Sequence, residues 1–298
     1  MSAGAPPARA QRGTILLADA AVIAVEHFDG AQHYLRLDCA EIAARARPGS
    51  FVHLRCADEL PMRRPMSVMR ADPTQGWLDV LYKAHGRGSA LLATRVPGDR
   101  VSVLGPIGRA FKLAAYRPRP LLIGGGVGIP PMLFLAEHLR TTRAAVRPLV
   151  LMGSEVPFPF RARPSTFMVP GLPPEVIAAM PLLEDWGIAS RLASLAGFPG
   201  CFDGLVTDLA RAWLEHSGTP REDIEIFACG PTPMLRAIAG LAREFALPCQ
   251  ISLEEYMACA VGGCAGCTVE ILTPQGPAMK RVCVDGPVFE AHTVVFSD

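Results

Sequence analysis

The sequence carries almost no net charge. Its 29 Lys and Arg are matched by 28 Asp and Glu, which leaves +1. A surface so balanced offers no electrostatic footprint for nucleic acid or for an anionic membrane. Long apolar runs are missing too. No stretch of about 18 apolar residues occurs, which argues against a membrane span. There is no internal repeat, and no low-complexity tract beyond the opening "MSAGAPPARAQRG", which is expected to fray. "TILLADAAVIAVEHF" follows. Asp19 breaks its apolar run and no small-residue cleavage site is evident, so it is expected to be a strand and not a signal peptide. The chain is expected to be cytoplasmic. In that compartment nine cysteines, an odd number, point to metal or redox use rather than to a disulfide framework.

What is present suffices for about two domains, with a small third possible, in 298 residues. Half of them are hydrophobic and 19% are charged, so the chain buries a sizeable core. A mean hydropathy of +0.27 hints at a subunit interface. Between residues 14 and 115, short β segments separated by Gly and Pro turns suggest an antiparallel barrel. "AAYRPRP" (114–120) is a plausible linker. From 116 to 247, strands alternate with helices: "PLLIGGG", "PPMLFLAEHLRTTR", "RPLVLMG", "GLVTDLARAWLEHSG", "DIEIFACG" and "PTPMLRAIAGLAREFAL". That order implies a parallel α/β sheet. Residues 155–203 are Pro-rich and resist placement. From 248 to 298 helix signals vanish and a cysteine segment begins.

That segment holds Cys259, Cys264 and Cys267 in "EEYMACAVGGCAGCTVEI", with Cys283 following in "KRVCVDGPVF". Structural zinc sites usually use two separated C-x2-C pairs. A C-x4-C-x2-C run with a distant fourth cysteine is the plant-ferredoxin-like spacing of a [2Fe–2S] cluster. Gly262, Gly263 and Gly266 let the loop curl until N–H groups face the sulfurs. Zinc and buried free thiols are the competing readings. Cys39, Cys56, Cys201 and Cys249 are taken as ordinary small residues.

Two further constellations point to nucleotides. "RRPMSV" places Arg64 and Ser67 on one strand. Arg64 supplies a planar charged fork for a diphosphate, and Ser67 is small enough to approach a flavin ring. "LYKAHGRGSALL" then puts Gly88 and Ser89 at a helix start, which favours phosphate, with Tyr82 beside it. "LLIGGGVGIPPM" is a strand, a glycine turn and a helix. It is not the G-x-G-x-x-G fingerprint, because position 129 is Ile. Even so, Gly124, Gly125, Gly126 and Gly128 would let backbone approach a pyrophosphate. "ACGPTPM", with Cys229, Gly230, Pro231 and Met234, ends a later strand, where ligands bind in open α/β sheets. Cys229 is the candidate neighbour of the nicotinamide. Glu155, after "LMGS", suits the ribose 2′-hydroxyl of NAD. For each motif alone the blander reading is a turn or a small buried residue.

Taken together, "RRPMS", "YKAHGRGS", "GPIG", "GGGVGIPPM", "CGPTPM", "SLEEYMACAVGGCAGC" and "KRVCVDGPVF" resemble the ferredoxin-reductase superfamily with a C-terminal iron–sulfur extension. Within it the resemblance is to the electron-transfer subunits of class 1B, NAD-dependent dihydroorotate dehydrogenases. It runs from about residue 14 to the end. The chain departs from the pattern at Arg109 and Ala110. The resemblance implies an FAD-binding barrel (14–115), an NAD-binding α/β domain (116–247) and a [2Fe–2S] domain (248–298). It implies FAD contacts from Arg64, Pro65, Met66, Ser67, Leu81, Tyr82, Lys83, Gly88 and Ser89, and cluster ligands Cys259, Cys264, Cys267 and Cys283. It also implies an FMN-bearing dihydroorotate dehydrogenase catalytic subunit as partner, two copies of each chain, and a role in pyrimidine biosynthesis. Met257 and Val261 are expected to dock the cluster against that partner. The alternatives are a reductase subunit of the same architecture serving ferredoxin, a glutamate-synthase-like partner or an oxygenase, and a zinc-stabilised binding module.

Overall fold

The structure is a computed structural model that describes residues 13–113, 117–143 and 145–296. The opening segment that was expected to fray and part of the 114–120 linker lie outside the described residues.

Six strands form the first unit: β1 (Leu16–Phe28), β2 (Gln32–Asp38), β3 (Phe51–Leu54), β4 (Arg64–Asp72), β5 (Trp77–Lys83) and β6 (Arg100–Ile107). They close as an antiparallel barrel in the order β1-β2-β5-β4-β3-β6. Inward-facing Leu35, Leu37, Val52, Leu54, Val68, Leu78, Val80, Val101 and Val103 fill it, as the period-2 alternation of strands requires. Two short helices interrupt the meander, α1 (Ala40–Arg45) and α2 (Arg87–Leu92).

The barrel is not paired evenly. Arg64 to Ser67 of β4 pair with β3, but β4 meets β5 only from Val68 onward. Leu81 to Lys83 of β5 likewise pair with β2 alone. The two strands therefore part at one end of the barrel and leave a split between Arg64–Ser67 and Leu81–Lys83.

The second unit begins with β7 (Arg119–Gly125), α3 (Ile129–Thr142), β8 (Leu149–Gly153), β9 (Arg163–Pro164) and β10 (Ala178–Ala179). It continues through α4 (Pro181–Asp185), β11 (Ala189–Ser194), β12 (Phe202–Asp203), α5 (Val206–His216), β13 (Ile224–Cys229), α6 (Thr232–Glu244) and β14 (Cys249–Ser252). The last strands are β15 (Thr268–Thr273), β16 (Gly276–Arg281) and β17 (Val288–Glu290). One seven-stranded sheet has the order β12-β11-β8-β7-β13-β14-β17. Its pairings are parallel except for β17 on β14. Alternate residues of β7 face opposite layers. Leu122 packs with Met132, Leu135 and Leu139 of α3, whereas Leu121 and Ile123 pack with Leu209, Leu235 and Ile238 of α5 and α6. Helices on both faces explain why β7, β8 and β13 are buried along nearly their whole length instead of alternating. Among the described residues no helix is long and apolar enough to cross a membrane.

The sheet runs past position 247. β14 extends it, the chain then leaves to build the cysteine loop and the β15–β16 hairpin, and β17 returns to pair with β14. The cysteine segment is thus tied to the sheet at both ends. Arg109 helps to hold it. Its N–H donates to the Gly286 carbonyl at 2.6 Å and its Nε to the Val284 carbonyl at 3.3 Å.

One buried group sets a pH dependence. Glu225 on β13 is 6% exposed, and its Oε1 has no hydrogen-bond partner. Burial pushes its carboxyl from 4.5 up to about 7, against the pull of Arg117 and with help from Glu290. A folded-state value above the unfolded one means that the fold binds the extra proton. That contribution is full below about 4.5 and is lost as pH rises through about 7. The loss amounts to about 3 kcal/mol. Glu225→Gln should therefore flatten the fall in Tm between pH of about 5 and 8, and should raise Tm at the upper end. An unchanged pH profile would show that Glu225 is not its source.

Candidate functional site

The split in the barrel opens into a cavity of about 1050 Å³. Of the flavin-site candidates, Arg64, Pro65, Met66, Ser67, Leu81, Tyr82, Lys83 and Ser89 line it directly. Both strand triplets are there for one reason: they border the edges that no neighbouring strand occupies. Backbone groups on such an edge are free to bond a ligand. Arg64 and Ser67 reach the same space although strict alternation would separate them. Gly88 lies behind the wall. A Cβ there would sit 2.9 Å from the Arg64 guanidinium, so its lack of side chain lets Arg64 lie across the start of α2. Arg64 is braced by donating Nη1 to the Met62 carbonyl at 2.9 Å. The Ser89 hydroxyl is already engaged, accepting from the His85 N–H at 2.7 Å and donating to the Gly86 carbonyl at 3.3 Å. It shapes the turn.

The same cavity extends to the C-terminal edge of the sheet, where Val127, Gly230, Pro231 and Thr232 form its far wall. Gly124 and Cys229 are directly paired there, on β7 and β13. The remaining glycines are largely consumed by packing. A Cβ on Gly125 would meet the Met234 sulfur at 2.5 Å, and one on Gly230 would meet the Met234 methyl at 2.5 Å. A Cβ on Gly128 would fall 2.1 Å from the Cys229 carbonyl oxygen. Gly126 differs: its φ is +53°, and nothing lies within 4 Å of the missing Cβ. Its backbone is the open part of the turn. Glu155 is exposed just beyond the end of β8.

Cys229 is fully buried and does not line the cavity. Its Sγ lies 3.9 Å from Oε1 of Glu254. Burial pushes this thiol well up, and Glu254 adds to the effect, so Cys229 is a neutral thiol one layer behind the wall. Glu254 itself faces the cavity. Its surface is open to solvent, yet the protein packed around it raises its carboxyl by desolvation. A carboxyl placed there was not singled out from sequence, although "EEY" opens the cysteine segment. Tyr256, 92% exposed, and Met257 complete this side.

The cysteine loop comes next, and Gly266 within it lines the cavity as well. Among the described residues no three His, Cys, Asp or Glu side chains converge on one point as a single ion needs. The thiols form two pairs instead, with Cys259 against Cys264 and Cys267 against Cys283. Four thiols drawn together in this way are a donor set that fits a two-iron cluster. The backbone curls through left-handed residues at Ala260 (φ +54°), Gly262 (φ +81°) and Ala265 (φ +54°). Two non-glycine residues in that region within six positions are a strained arrangement of the sort that marks ligand clamps. The curl aims N–H groups at sulfur. Gly263 and Cys264 donate to the Cys259 Sγ at 3.3 and 3.4 Å, and Gly266 donates to the Cys264 Sγ at 3.4 Å. Burial pushes the Cys259 thiol up, but the N–H groups of Cys264, Val261 and Gly263 outweigh it and bring it down to about 7. Arg281 secures the loop by donating Nη1 to the Gly262 carbonyl at 2.8 Å; sequence alone had not marked it. Cys264 is exposed while Cys267 and Cys283 are buried. Around Cys264, Val261 is 50% exposed, but Met257 is only 9% exposed. Met257 turns into the core and does not form the outer face expected of it.

Comparison with known proteins gives a consistent result. Residues 254–295 match the iron–sulfur cluster binding domain of dihydroorotate dehydrogenase B. The chain is 38% identical over 254 residues to the dihydroorotate dehydrogenase B (NAD(+)) electron transfer subunit of Bacillus caldolyticus, covering 84% of this chain and 87% of that one. It is 31% identical over 280 residues to the same subunit of Desulforamulus reducens, covering 93% and 98%. Its fold is similar to a chain of the NADH-dependent reduced ferredoxin-NADP oxidoreductase, with a TM-score of 0.74 at 24% identity over 93% of this chain and 90% of that one. It is also similar to the ferredoxin reductase in carbazole 1,9a-dioxygenase, with a TM-score of 0.60 at 22% identity over 78% and 67%.

Proposed function

The chain belongs to the family of dihydroorotate dehydrogenase B (NAD(+)) electron transfer subunits, and from that premise we propose that it conducts electrons between a dihydroorotate-oxidising subunit and NAD⁺. The observation that carries the reading is the single cavity bounded by the split barrel, the Gly230–Thr232 wall and Gly266 of the cysteine loop. One continuous space touching three nucleotide- and metal-type elements lets electrons cross without leaving the protein. FAD, when bound, exchanges single electrons with a [2Fe–2S] cluster and a hydride with nicotinamide, which accepts only hydride.

The residues divide the work. Arg64 and the turn before α2 hold a diphosphate. The open edges of Arg64–Ser67 and Leu81–Lys83 grip the rest of FAD. Gly126 and the start of α3 receive the NAD pyrophosphate, where free N–H groups and the helix dipole favour it. Pro231 and Thr232 seat the nicotinamide, while Cys229 and Glu254 shape the wall behind it. Cys259, Cys264, Cys267 and Cys283 hold the cluster. The partner carries FMN and docks over exposed Cys264, Val261 and Tyr256, in an assembly with two copies of each chain. The division into an FAD barrel, an NAD domain and a cluster segment follows the same assignment.

Copurification followed by assay tests this reading. The chain should bring down a flavoprotein partner, and dihydroorotate should reduce NAD⁺ only when both are present. An isolated chain that binds no such partner and reduces ferredoxin instead would overturn the assignment. For Arg64, a charge-assisted hydrogen bond is worth about 1.5–3 kcal/mol. Arg64→Met should therefore weaken FAD about ten- to hundredfold when the apo chain is titrated with the cofactor. FAD affinity equal to that of the unaltered chain would remove Arg64 from the site.

A further inference from the structure

His53 lies on β3 and belongs to none of the sites described above. Val52 and Leu54, its neighbours in the strand, fill the barrel, so Phe51 and His53 face outward. In the β3–β4 register His53 stands opposite Pro65, and Phe51 opposite Ser67. Residues paired in this way share a face. His53 is therefore on the face that carries Phe51, Pro65 and Ser67, all of which line the large cavity. An outward-facing histidine would ordinarily meet solvent, yet His53 is 0% exposed. The chain that leaves β14 covers this face, where Met257 and Phe51 join one buried apolar cluster. The backbone groups that act on the imidazole come from two places: Arg63, just before β4, and Met257, at the start of the cysteine loop.

Neither ring nitrogen of His53 has a hydrogen-bond partner. A buried polar group left unpaired costs free energy that an apolar side chain of similar size would avoid. A histidine that merely fills a core is normally satisfied there. Burial, reinforced by Arg63, brings the imidazole down to about 4. At neutral pH the ring is therefore uncharged, with one N–H to donate and one lone pair. The barrel end of this arrangement is well fixed. Arg63 donates Nη1 to the His53 carbonyl at 3.2 Å and to the Ser102 carbonyl at 2.8 Å, and Nη2 to the Ser102 hydroxyl at 2.8 Å. Residues 254–257, in contrast, belong to no helix or strand, so side-chain contacts must place them. A bond from His53 to Arg63 would only tie the barrel to itself. A bond to Met257 would tie the cysteine loop to the barrel.

We propose that His53 is a positioning residue for the relay: its ring N–H is directed to the Met257 carbonyl and sets the cysteine loop against the Arg64–Ser67 edge, an inference that rests on the electron-transfer reading above. A slight closure of residues 254–257 onto β3 completes the bond. The tether joins the edge that grips FAD to a point two residues before Cys259, and so fixes the gap that an electron crosses.

Hydrogen exchange of the full chain loaded with FAD and cluster, read by mass spectrometry, tests this. Loss of one hydrogen bond lets a local segment open about tenfold more often. In His53→Leu, amides of residues 254–258 should exchange faster by that factor, while those of β13 keep their rate. His53→Asn and His53→Gln place an amide N–H near Nδ1 and Nε2 in turn, and one of them should restore the slow exchange. In anaerobic stopped flow the leucine variant should bleach FAD with NADH at the normal rate but reduce its cluster more slowly. Nitrogen NMR of the unaltered chain, which depends on no variant folding, should show a neutral His53 whose N–H is protected from solvent. Four results would each overturn the proposal: unchanged exchange at 254–258, faster exchange throughout the molecule, no rescue by either amide, or a His53 N–H that exchanges freely. A cluster that NADH cannot reduce in the unaltered, FAD-loaded chain would instead overturn the electron-transfer reading, and the exchange data would still judge the tether.

Discussion

Cys264→Ser should purify with its FAD but without its cluster. Changes in groups that merely support a metal ligand cost on the order of 10–100-fold in metal affinity, and removing a thiolate ligand costs more. Cys264 is exposed, and its sulfur belongs to a loop held mainly by its own backbone and by Arg281. The split between β4 and β5 lies on other elements. NADH should still reduce an artificial dye at close to the normal rate, whereas dihydroorotate-dependent NAD⁺ reduction with the partner should fall below detection. Iron content, the visible spectrum and the two assays check this together. Loss of FAD along with iron would contradict the separate placement of the two sites.

Gly128→Ala tests the other end of the cavity. The added methyl would lie 2.1 Å from the Cys229 carbonyl oxygen and 2.5 Å from the Gly230 nitrogen. Both are backbone atoms, so no side chain can swing aside. Overpacking of this kind costs about 1–3 kcal/mol even where side chains give way. The β13–α6 turn must shift, and Pro231 and Thr232 shift with it. A displacement of about 1 Å at a hydride-transfer site is worth roughly a hundredfold in rate. We expect kcat/KM for NADH to drop by that order while FAD content and cluster absorption stay normal. Unchanged kinetics would mean that the wall does not position the nicotinamide.

Much of this architecture is legible in the sequence, because its strongest signals are local. The apolar runs of β7, β8 and β13, the prolines at the start of α3, and the spacing of four cysteines each depend on neighbours in the chain. What was hidden depends on pairing between distant segments. The split that makes the cavity exists because β4 and β5 pair no further than Val68 with Val80, which leaves Arg64–Ser67 and Leu81–Lys83 apart, and no run of residues announces that. β11 was missed since it is polar by composition. Ser190, Arg191 and Ser194 are buried there because they bond the Met180 N–H, the Phe167 carbonyl and the Ser154 carbonyl. β17 is three residues long and pairs with a strand on the far side of the cysteine loop. Met257 looked like a docking residue in an apolar stretch, but burial decides which apolar residues face outward. Glu254 escaped notice for a related reason: only the folded wall brings its carboxyl beside Cys229 and into the cavity.

The central claim is that one cavity couples the cluster to NAD through FAD. An anaerobic NADH titration of the isolated chain, followed by electron paramagnetic resonance of the cluster, tests it most directly. The account predicts that NADH reduces the cluster in the FAD-loaded chain and leaves it oxidised once FAD has been stripped. A cluster reduced equally well without FAD, or one that stays oxidised in the loaded chain, would contradict it.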